Sequence, residues 1–196
     1  MSGIDDDWPD SDAGNAAGDD ELAWETRDSE IDYSCPGFDV RRDGVVLPDG
    51  TETEHHHVEE GGAVVVLPFL PGGDEVVLIE EWRQPVRRLN RGLPAGGVED
   101  QDDDLRKAAA RELREETGYE AERFEHLCTT EPVNGIADSV HHTFVAHGCE
   151  PTATQELDHN ESIRTQTVAY DDLVEAVGRG DVRDGRAVLA VSRYEL

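Results

Sequence analysis

The sequence is poor in cysteine, methionine and lysine. It has three cysteines, one methionine and one lysine, Lys107, in 196 residues. Cys35, Cys128 and Cys149 are odd in number and are not spaced as C-x-x-C, which disfavours both a disulfide framework and a cysteine zinc site. We therefore expect a reduced protein of the cytoplasm.

Long apolar runs are also missing. No stretch approaches the ~20 apolar residues that a membrane helix needs, and the N-terminus has no basic region followed by an apolar run, as a signal peptide would. The sequence has no phosphate-loop lysine motif and no G-x-S-x-G serine motif. These absences disfavour a membrane partner, a phosphate-loop nucleotidase and a serine hydrolase.

Positive charge is scarce. Asp and Glu outnumber Lys and Arg by 46 to 17, which gives a formal net charge of -29. Such a protein repels the phosphates of nucleic acid, so we expect no nucleic-acid partner. The acidity is spread along the chain, and a dispersed acidic surface suits a halophilic protein in a high-salt cytoplasm.

The chain divides into three predicted regions. Residues 1–30 are acidic with few large apolar side chains, which predicts a mobile segment. Residues 31–61 are predicted to form a small N-terminal β-segment, and residues 62–196 the main domain. Strands and helices alternate irregularly in that domain, which predicts an α+β fold. The predicted strands are 63–70, 75–79, 122–131, 139–147 and 163–170, and the later helices are 171–177 and 187–194.

The segment between Gly92 and Gly118 contains the strongest chemical signal. We predict a loop over residues 92–97 and then a helix that begins at residues 102–104 and ends at Gly118. Three glutamates at i, i+3 and i+4 share one face of this helix, namely Glu112, Glu115 and Glu116. Carboxylates held together favour a hard cation such as Mg²⁺, with Mn²⁺ possible. The alternative is a solvated acidic face with ion pairs such as Arg111 with Glu115.

The spacing around these glutamates resembles the Nudix box, G-x5-E-x7-R-E-U-x-E-E-x-G-U, where U is apolar. Gly97, the Arg111-Glu112-Leu113 run, Glu115-Glu116 and Gly118 match it in register, and its first Glu falls on Asp103. Counting from Gly96 instead places the helix one residue late. Either the loop has one extra residue or Gly97 takes the glycine's role, so the roles of Asp102 and Asp103 stay open.

Residues outside the box resemble the ADP-ribose pyrophosphatase branch of that family. A strand ending at Trp82-Arg83 precedes Leu93-Pro-Ala-Gly96, as in that branch. Residues 135–138 resemble its substrate loop, and residues 160–163 its catalytic loop. One position differs, since the branch commonly has Glu where this chain has Gly92.

The resemblance implies a fold and an activity. The fold would be a Nudix-type α/β/α sandwich with a mixed β-sheet, preceded by the small N-terminal β-segment. The activity would be Mg²⁺-dependent hydrolysis of a nucleoside diphosphate linked to another group X, with ADP-ribose giving AMP and ribose 5-phosphate. Nucleotide sugars such as GDP-mannose and a non-catalytic nucleotide-binding regulator are the alternatives. A homodimer is also implied.

The resemblance further implies roles for individual residues. The metal ligands would be Glu112, Glu115, Glu116 and the backbone carbonyl of Ala95. Arg111 would orient a glutamate, and Glu161 would be the general base, with Glu156 as the second candidate. The substrate-binding residues would be Arg83, Gly135 and Asp138.

Overall fold

The computed structural model describes residues 20–99, 102, 104–159 and 161–196. The described chain forms two compact units that divide between Val58 and Glu59. No helix in these residues is long and apolar enough to cross a bilayer.

The N-terminal unit is a three-stranded sheet in the order β1-β2-β3, formed by Glu25–Cys35, Phe38–Val46 and Glu52–Glu59. Arg42 of β2 donates hydrogen bonds to Glu30 of β1 and Glu54 of β3, which links the strands through charged side chains. Strand β1 begins at Glu25, so the β-structure starts before the predicted boundary at residue 31, and the mobility of the first residues stays a prediction. Backbone pairing and ion pairs order this strand without a large apolar face. Residues 1–19 lie outside the described residues.

The second unit contains nine strands and three helices within the described residues. Its elements are β4 Gly62–Pro68, β5 Glu75–Arg83, β6 Arg88–Gly92, β7 Ala95–Gly97, α1 Leu105–Thr117, β8 Tyr119–Glu120, β9 Arg123–Thr130, β10 Val140–His147, β11 Glu150–Pro151, β12 Ile163–Ala169, α2 Tyr170–Arg179 and α3 Gly185–Tyr194. The larger sheets have the orders β7-β4-β10-β9 and β12-β5-β6, and β8 pairs with β11. Strands β4 and β10 are parallel. The pairs β9 with β10, β5 with β12, β4 with β7 and β5 with β6 are antiparallel. The predicted α+β class with a mixed sheet is confirmed.

Strand β4 is buried on both faces, which explains its continuous apolar sequence. One cluster joins alternate residues of β4 and β10 to helix α1, and its members include Val64, Val66, Phe144, Ala108 and Leu113. A second cluster joins the other face of β4 to β5 and α3, and its members include Val65, Leu67, Leu78, Ala187 and Val191. The β7-β4-β10-β9 sheet therefore lies between α1 on one face and β5 with α3 on the other, as the expected sandwich requires.

The predicted strands and later helices are confirmed, with two differences. Helix α2 continues past Gly178 and ends at Gly180, whose φ of 76° is left-handed. The predicted loop over residues 92–97 is wrong, because β6 ends at Gly92 and β7 covers Ala95–Gly97. Strand β6 lacks an apolar alternation, and its pairing with β5 determines its conformation.

Helix α1 is capped at both ends. Asp104 is the N-cap, and its side chain accepts a hydrogen bond from the Arg106 N–H at 2.8 Å. Gly118 ends the helix with φ 76°, and its N–H donates to the carbonyl of Arg114. Asp102 lies outside the helix and accepts a hydrogen bond from Arg111. Asp103 lies outside the described residues.

Gly118 and Gly180 provide a matched pair for a stability measurement. Both have φ +76°, but a Cβ at Gly118 would lie 2.5 Å from the Ala153 carbonyl oxygen, whereas a Cβ at Gly180 would meet nothing within 4 Å. We expect Gly180→Ala to lower the free energy of unfolding by about 1 kcal/mol, the cost of left-handed backbone. Gly118→Ala should cost at least about 1 kcal/mol more through the clash. Urea denaturation measures both, and equal losses would contradict the packing argument.

Candidate active site

A cavity of about 230 Å³ lies beside helix α1 and is lined mainly by carboxylates. Its walls come from the end of β7, from α1 and from the segment before β12. The lining residues are Gly96, Gly97, Glu99, Arg111, Glu112, Glu115, Glu116, Glu156, Asp158 and Glu161. Three segments that are distant in sequence thus bring their acidic groups to one place.

The three α1 glutamates differ in burial. Glu112 and Glu116 are 8% and 3% exposed, whereas Glu115 is half-buried. Burial and the neighbouring Glu112 and Glu161 carboxylates together raise the pKa of Glu116 to about 8, although a hydrogen bond from the Ala95 N–H opposes the rise. Burial also raises the pKa of Glu112 against the effect of Arg111. A bound cation would relieve this unfavourable concentration of negative charge.

Strand β7 approaches the glutamates closely. The Ala95 N–H donates to Glu116 Oε2 at 2.8 Å. A Cβ at Gly96 would collide with the Glu112 carboxylate, whereas a Cβ at Gly97 would meet nothing within 4 Å. Gly96 is therefore the glycine that the packing of Glu112 requires. Gly97 contributes its carbonyl oxygen, which accepts a hydrogen bond from Arg111 at 2.9 Å.

Arg111 connects the loop to the helix. Its Nη1 donates to Glu112 at 2.6 Å and to Glu115 at 3.2 Å. Its Nη2 donates to Asp102 at 2.8 Å, and this hydrogen bond lowers the pKa of the Asp102 carboxyl. Arg111 thus binds two of the α1 glutamates and is anchored by Asp102, and its orienting role stays a prediction.

The carboxylate set fits a hard divalent cation. Among the described residues no group of three or more His, Cys, Asp or Glu side chains is arranged to hold a metal ion, and Arg111 binds both Glu112 and Glu115. The fit rests on the oxygen-only donors, on the buried Glu116 carboxyl and on the glycine that makes room for Glu112. Glu112, Glu115 and Glu116 would hold the metal.

The segment before β12 is fixed to helix α1 by backbone contacts. The Glu156 N–H donates to the Glu115 carbonyl at 2.9 Å, and the Gln155 side chain donates to the Glu116 carbonyl at 2.6 Å. The Glu156 carboxylate is exposed and paired with Arg114 at 2.9 Å. Glu161 instead accepts the Asp158 N–H at 3.0 Å and interacts electrostatically with Glu112 and Glu116.

The predicted substrate-binding residues lie on other elements than the residues that line this cavity. Arg83 is half-buried at the end of β5, where it pairs with Glu81 at 2.7 Å. Gly135 lies in the turn before β10, and Asp138 accepts the Glu60 N–H at 3.1 Å. None of the three predicted residues lines the carboxylate cavity. Their roles stay predictions.

The structure also reveals polar residues that sequence reasoning missed. Glu81, Asn90 and Asp184 are buried, although they come from β5, β6 and the start of α3. The sequence contained a signal for burial only at Glu81. Side chains alternate along a strand, so Glu81 lies on the same face of β5 as Ile79. Asn90 and Asp184 are separated by 94 residues, and no local pattern joins them.

Comparisons with known proteins show the family of this chain. The NUDIX domain family model matches residues 60–190. The methanol dehydrogenase activator of Bacillus methanolicus is 32% identical over 79% of this chain and 83% of its own length. The ADP-ribose pyrophosphatase of Bacillus subtilis is 29% identical over 84% of this chain and 88% of its own length.

Two further relatives extend the comparison. A CMP-5'-(N-acetyl-N-hydroxy-3-aminopropyl)phosphonate hydrolase of Streptomyces rubellomurinus is 28% identical over 85% of this chain and 80% of its own length. The crystal structure of an ADP compounds hydrolase superposes with a TM-score of 0.76 and 19% identity, covering 88% of this chain and 92% of the other. This structural likeness supports the fold.

Proposed function

Since this chain belongs to the Nudix family of pyrophosphohydrolases, we propose that it hydrolyses ADP-ribose to AMP and ribose 5-phosphate with Mg²⁺. The observation that carries the proposal is the cavity in which the α1 glutamates meet Glu161. Relatives named ADP-ribose pyrophosphatase in two organisms support this substrate. The divalent metal follows from the family and from the donor set, and its identity as Mg²⁺ is part of the proposal.

The reaction places negative charge in a cavity that is already acidic. A divalent metal, when bound, would neutralise phosphate oxygens and lower the pKa of a water molecule. Arg111 holds the carboxylates of Glu112 and Glu115 in place through charge-assisted hydrogen bonds. Glu161 would accept the proton of the attacking water as one phosphate forms its new bond and the other leaves.

Mutation can show whether Glu161 or Glu156 is the general base. Glu161→Gln should lower kcat by about 10²- to 10⁴-fold, the usual contribution of a general base, with little change in unfolding. Glu156→Gln is the matched control, because its carboxylate is exposed and bound to Arg114, and it should keep kcat within about threefold. Steady-state kinetics across pH measure both. A larger loss in Glu156→Gln would transfer the role of base to Glu156.

The substrate is tested by incubating the protein and Mg²⁺ with ADP-ribose, GDP-mannose, a CMP-linked phosphonate and nucleoside triphosphates at low and high salt. ADP-ribose should give the highest kcat/KM, with AMP and ribose 5-phosphate as products. The Streptomyces relative makes CMP derivatives the second candidate class. Absence of turnover on the whole panel would favour the non-catalytic nucleotide-binding alternative.

Three statements stay predictions beside this proposal. They are the homodimer, the cytoplasmic location and the halophilic character of the acidic surface.

A further inference from the structure

A second polar cluster lies where β6 meets the start of α3. The Asp184 side chain is buried and accepts hydrogen bonds from Asn90 Nδ2 at 2.8 Å, from the Ala187 N–H at 3.0 Å and from Arg186 Nη2 at 3.3 Å. The Ala187 bond makes Asp184 the N-cap of α3. One buried carboxylate therefore fixes both the helix start and the Arg186 side chain.

The surroundings of Asp184 hold it in one position. Asn90 Oδ1 accepts a hydrogen bond from Arg88 at 2.9 Å, so the amide that donates to Asp184 is itself oriented. Gly92 lies against the carboxylate, since a Cβ there would be 3.2 Å from Asp184 Cγ. Burial acts to raise the pKa of Asp184, but the Arg186 charge and the hydrogen bonds from Ala187, Arg186 and Asn90 outweigh it and lower the pKa. The carboxylate is thus ionised and positioned.

The sheet β12-β5-β6 connects the Asp184 cluster to the active-site cavity, because Glu81 of β5 pairs with Asn90 of β6 and with Ile163 of β12, which lies two residues after Glu161. Asn90 and Glu81 are register partners on β6 and β5, so their side chains share one face of the sheet. Burial raises the pKa of Glu81, and the charges of Arg83 and Arg186 oppose that rise, while Glu161 adds to it. Glu81 therefore lies within electrostatic reach of both arginines and of the proposed base.

The guanidinium of Arg186 has donors that Asp184 does not use. Its side chain is 21% exposed, and within the described residues Asp184 is the partner found for it. An arginine fork has five N–H donors and matches the oxygens of a phosphate. The chain has a net charge of -29, so a half-buried cation is unusual in it. Arg186 is such a cation, and Asp184 holds it in a position suited to an anionic ligand.

We propose that Arg186, positioned by Asp184 and Asn90, binds a phosphate oxygen of the nucleoside diphosphate substrate. The inference rests on the proposed function, because it takes the ligand class from that reaction. It assigns Arg186 to substrate binding, and Asp184 and Asn90 to the positioning of Arg186. An ion pair that merely anchors α3 is the competing explanation.

The test compares Arg186→Gln and Arg186→Lys with the control Arg183→Gln, an exposed arginine on the same segment. The loss of one or two charge-assisted hydrogen bonds should raise the KM for ADP-ribose by roughly ten- to hundredfold in Arg186→Gln, with a smaller change in kcat. Arg186→Lys should recover part of the loss because the charge remains. Arg183→Gln should match the wild type.

A second measurement does not depend on turnover. Calorimetric titration with AMP should show a dissociation constant that rises in Arg186→Gln in parallel with KM. Thermal unfolding is recorded for every variant, and Arg186→Lys provides the comparison if Arg186→Gln does not fold. A lower Tm with unchanged KM and unchanged AMP affinity would overturn the proposal in favour of a structural ion pair.

The same experiments distinguish a failure of the proposed function from a failure of the Arg186 assignment. If the wild type hydrolyses nothing in the panel, the proposed function fails, and AMP titration of the variants still decides the role of Arg186. If the wild type is active and Arg186→Gln has wild-type KM and AMP affinity, only the assignment of Arg186 fails.

Discussion

Glu115→Gln and Glu116→Gln should each lower kcat by about three orders of magnitude or more. Each change removes a carboxyl group that would hold the metal at the cavity, and the loss of one metal–carboxylate interaction is worth several kcal/mol in the barrier. Glutamine keeps the size and shape of the side chain. In Glu116→Gln the side-chain amide oxygen can still accept a hydrogen bond from the Ala95 N–H, so the contact with β7 persists.

The fold should survive these substitutions. Glu116 is 3% exposed, and burial raises the pKa of its carboxyl to about 8. Without metal the side chain is therefore largely uncharged near neutral pH, and a neutral amide costs no more to bury. In the absence of metal, Glu116→Gln should therefore unfold no earlier than the wild type. The loss of activity should be accompanied by weaker divalent-metal binding, which calorimetric titration with Mg²⁺ measures.

Glu175→Gln is the matched control for Glu115→Gln. Both glutamates belong to helical i,i+4 ion pairs, Glu115 with Arg111 and Glu175 with Arg179. Glu175 is exposed and lies on α2, outside the residues that line the cavity. Its substitution should change kcat by less than twofold. Wild-type-like turnover in both Glu115→Gln and Glu116→Gln would remove the basis of the proposed active site.

Gly96→Ala should inactivate the protein where Gly97→Ala does not. The added methyl group at Gly96 would occupy the space of the Glu112 carboxylate, whereas the one at Gly97 would meet nothing within 4 Å. Either Glu112 or β7 must move, and a displacement of about 1 Å at a catalytic centre can cost 10²-fold in rate. We expect kcat to fall by about 10²-fold or more in Gly96→Ala and by less than about threefold in Gly97→Ala.

This comparison also decides the register that the sequence left open. Spacing alone allows either glycine to occupy the first position of the box. A larger loss in Gly97→Ala than in Gly96→Ala would show that the approach of β7 to Glu112 is not required for activity. Circular dichroism and urea denaturation should show that both variants fold, so that kcat reports on the geometry of the site.

Much of the candidate site was predictable because it depends on local geometry. The period of an α-helix places Glu112, Glu115 and Glu116 on one face wherever the helix packs. Apolar runs such as β4 predict buried strands for a similarly local reason. Strand β6 was not predictable in this way, because its Arg-Leu-Asn-Arg-Gly sequence becomes a strand through its pairing with β5.

The sequence by itself determined the helix, its three glutamates and the resemblance that implied the chemistry. Only the tertiary structure decided that Asp102 anchors Arg111, that Gly96 accommodates Glu112 and that Asp184 holds Arg186. The physical reason is range. Helical period and apolar alternation act within a few residues, whereas the contact between Asn90 and Asp184 spans 94 residues and forms only when the sheets and helices pack.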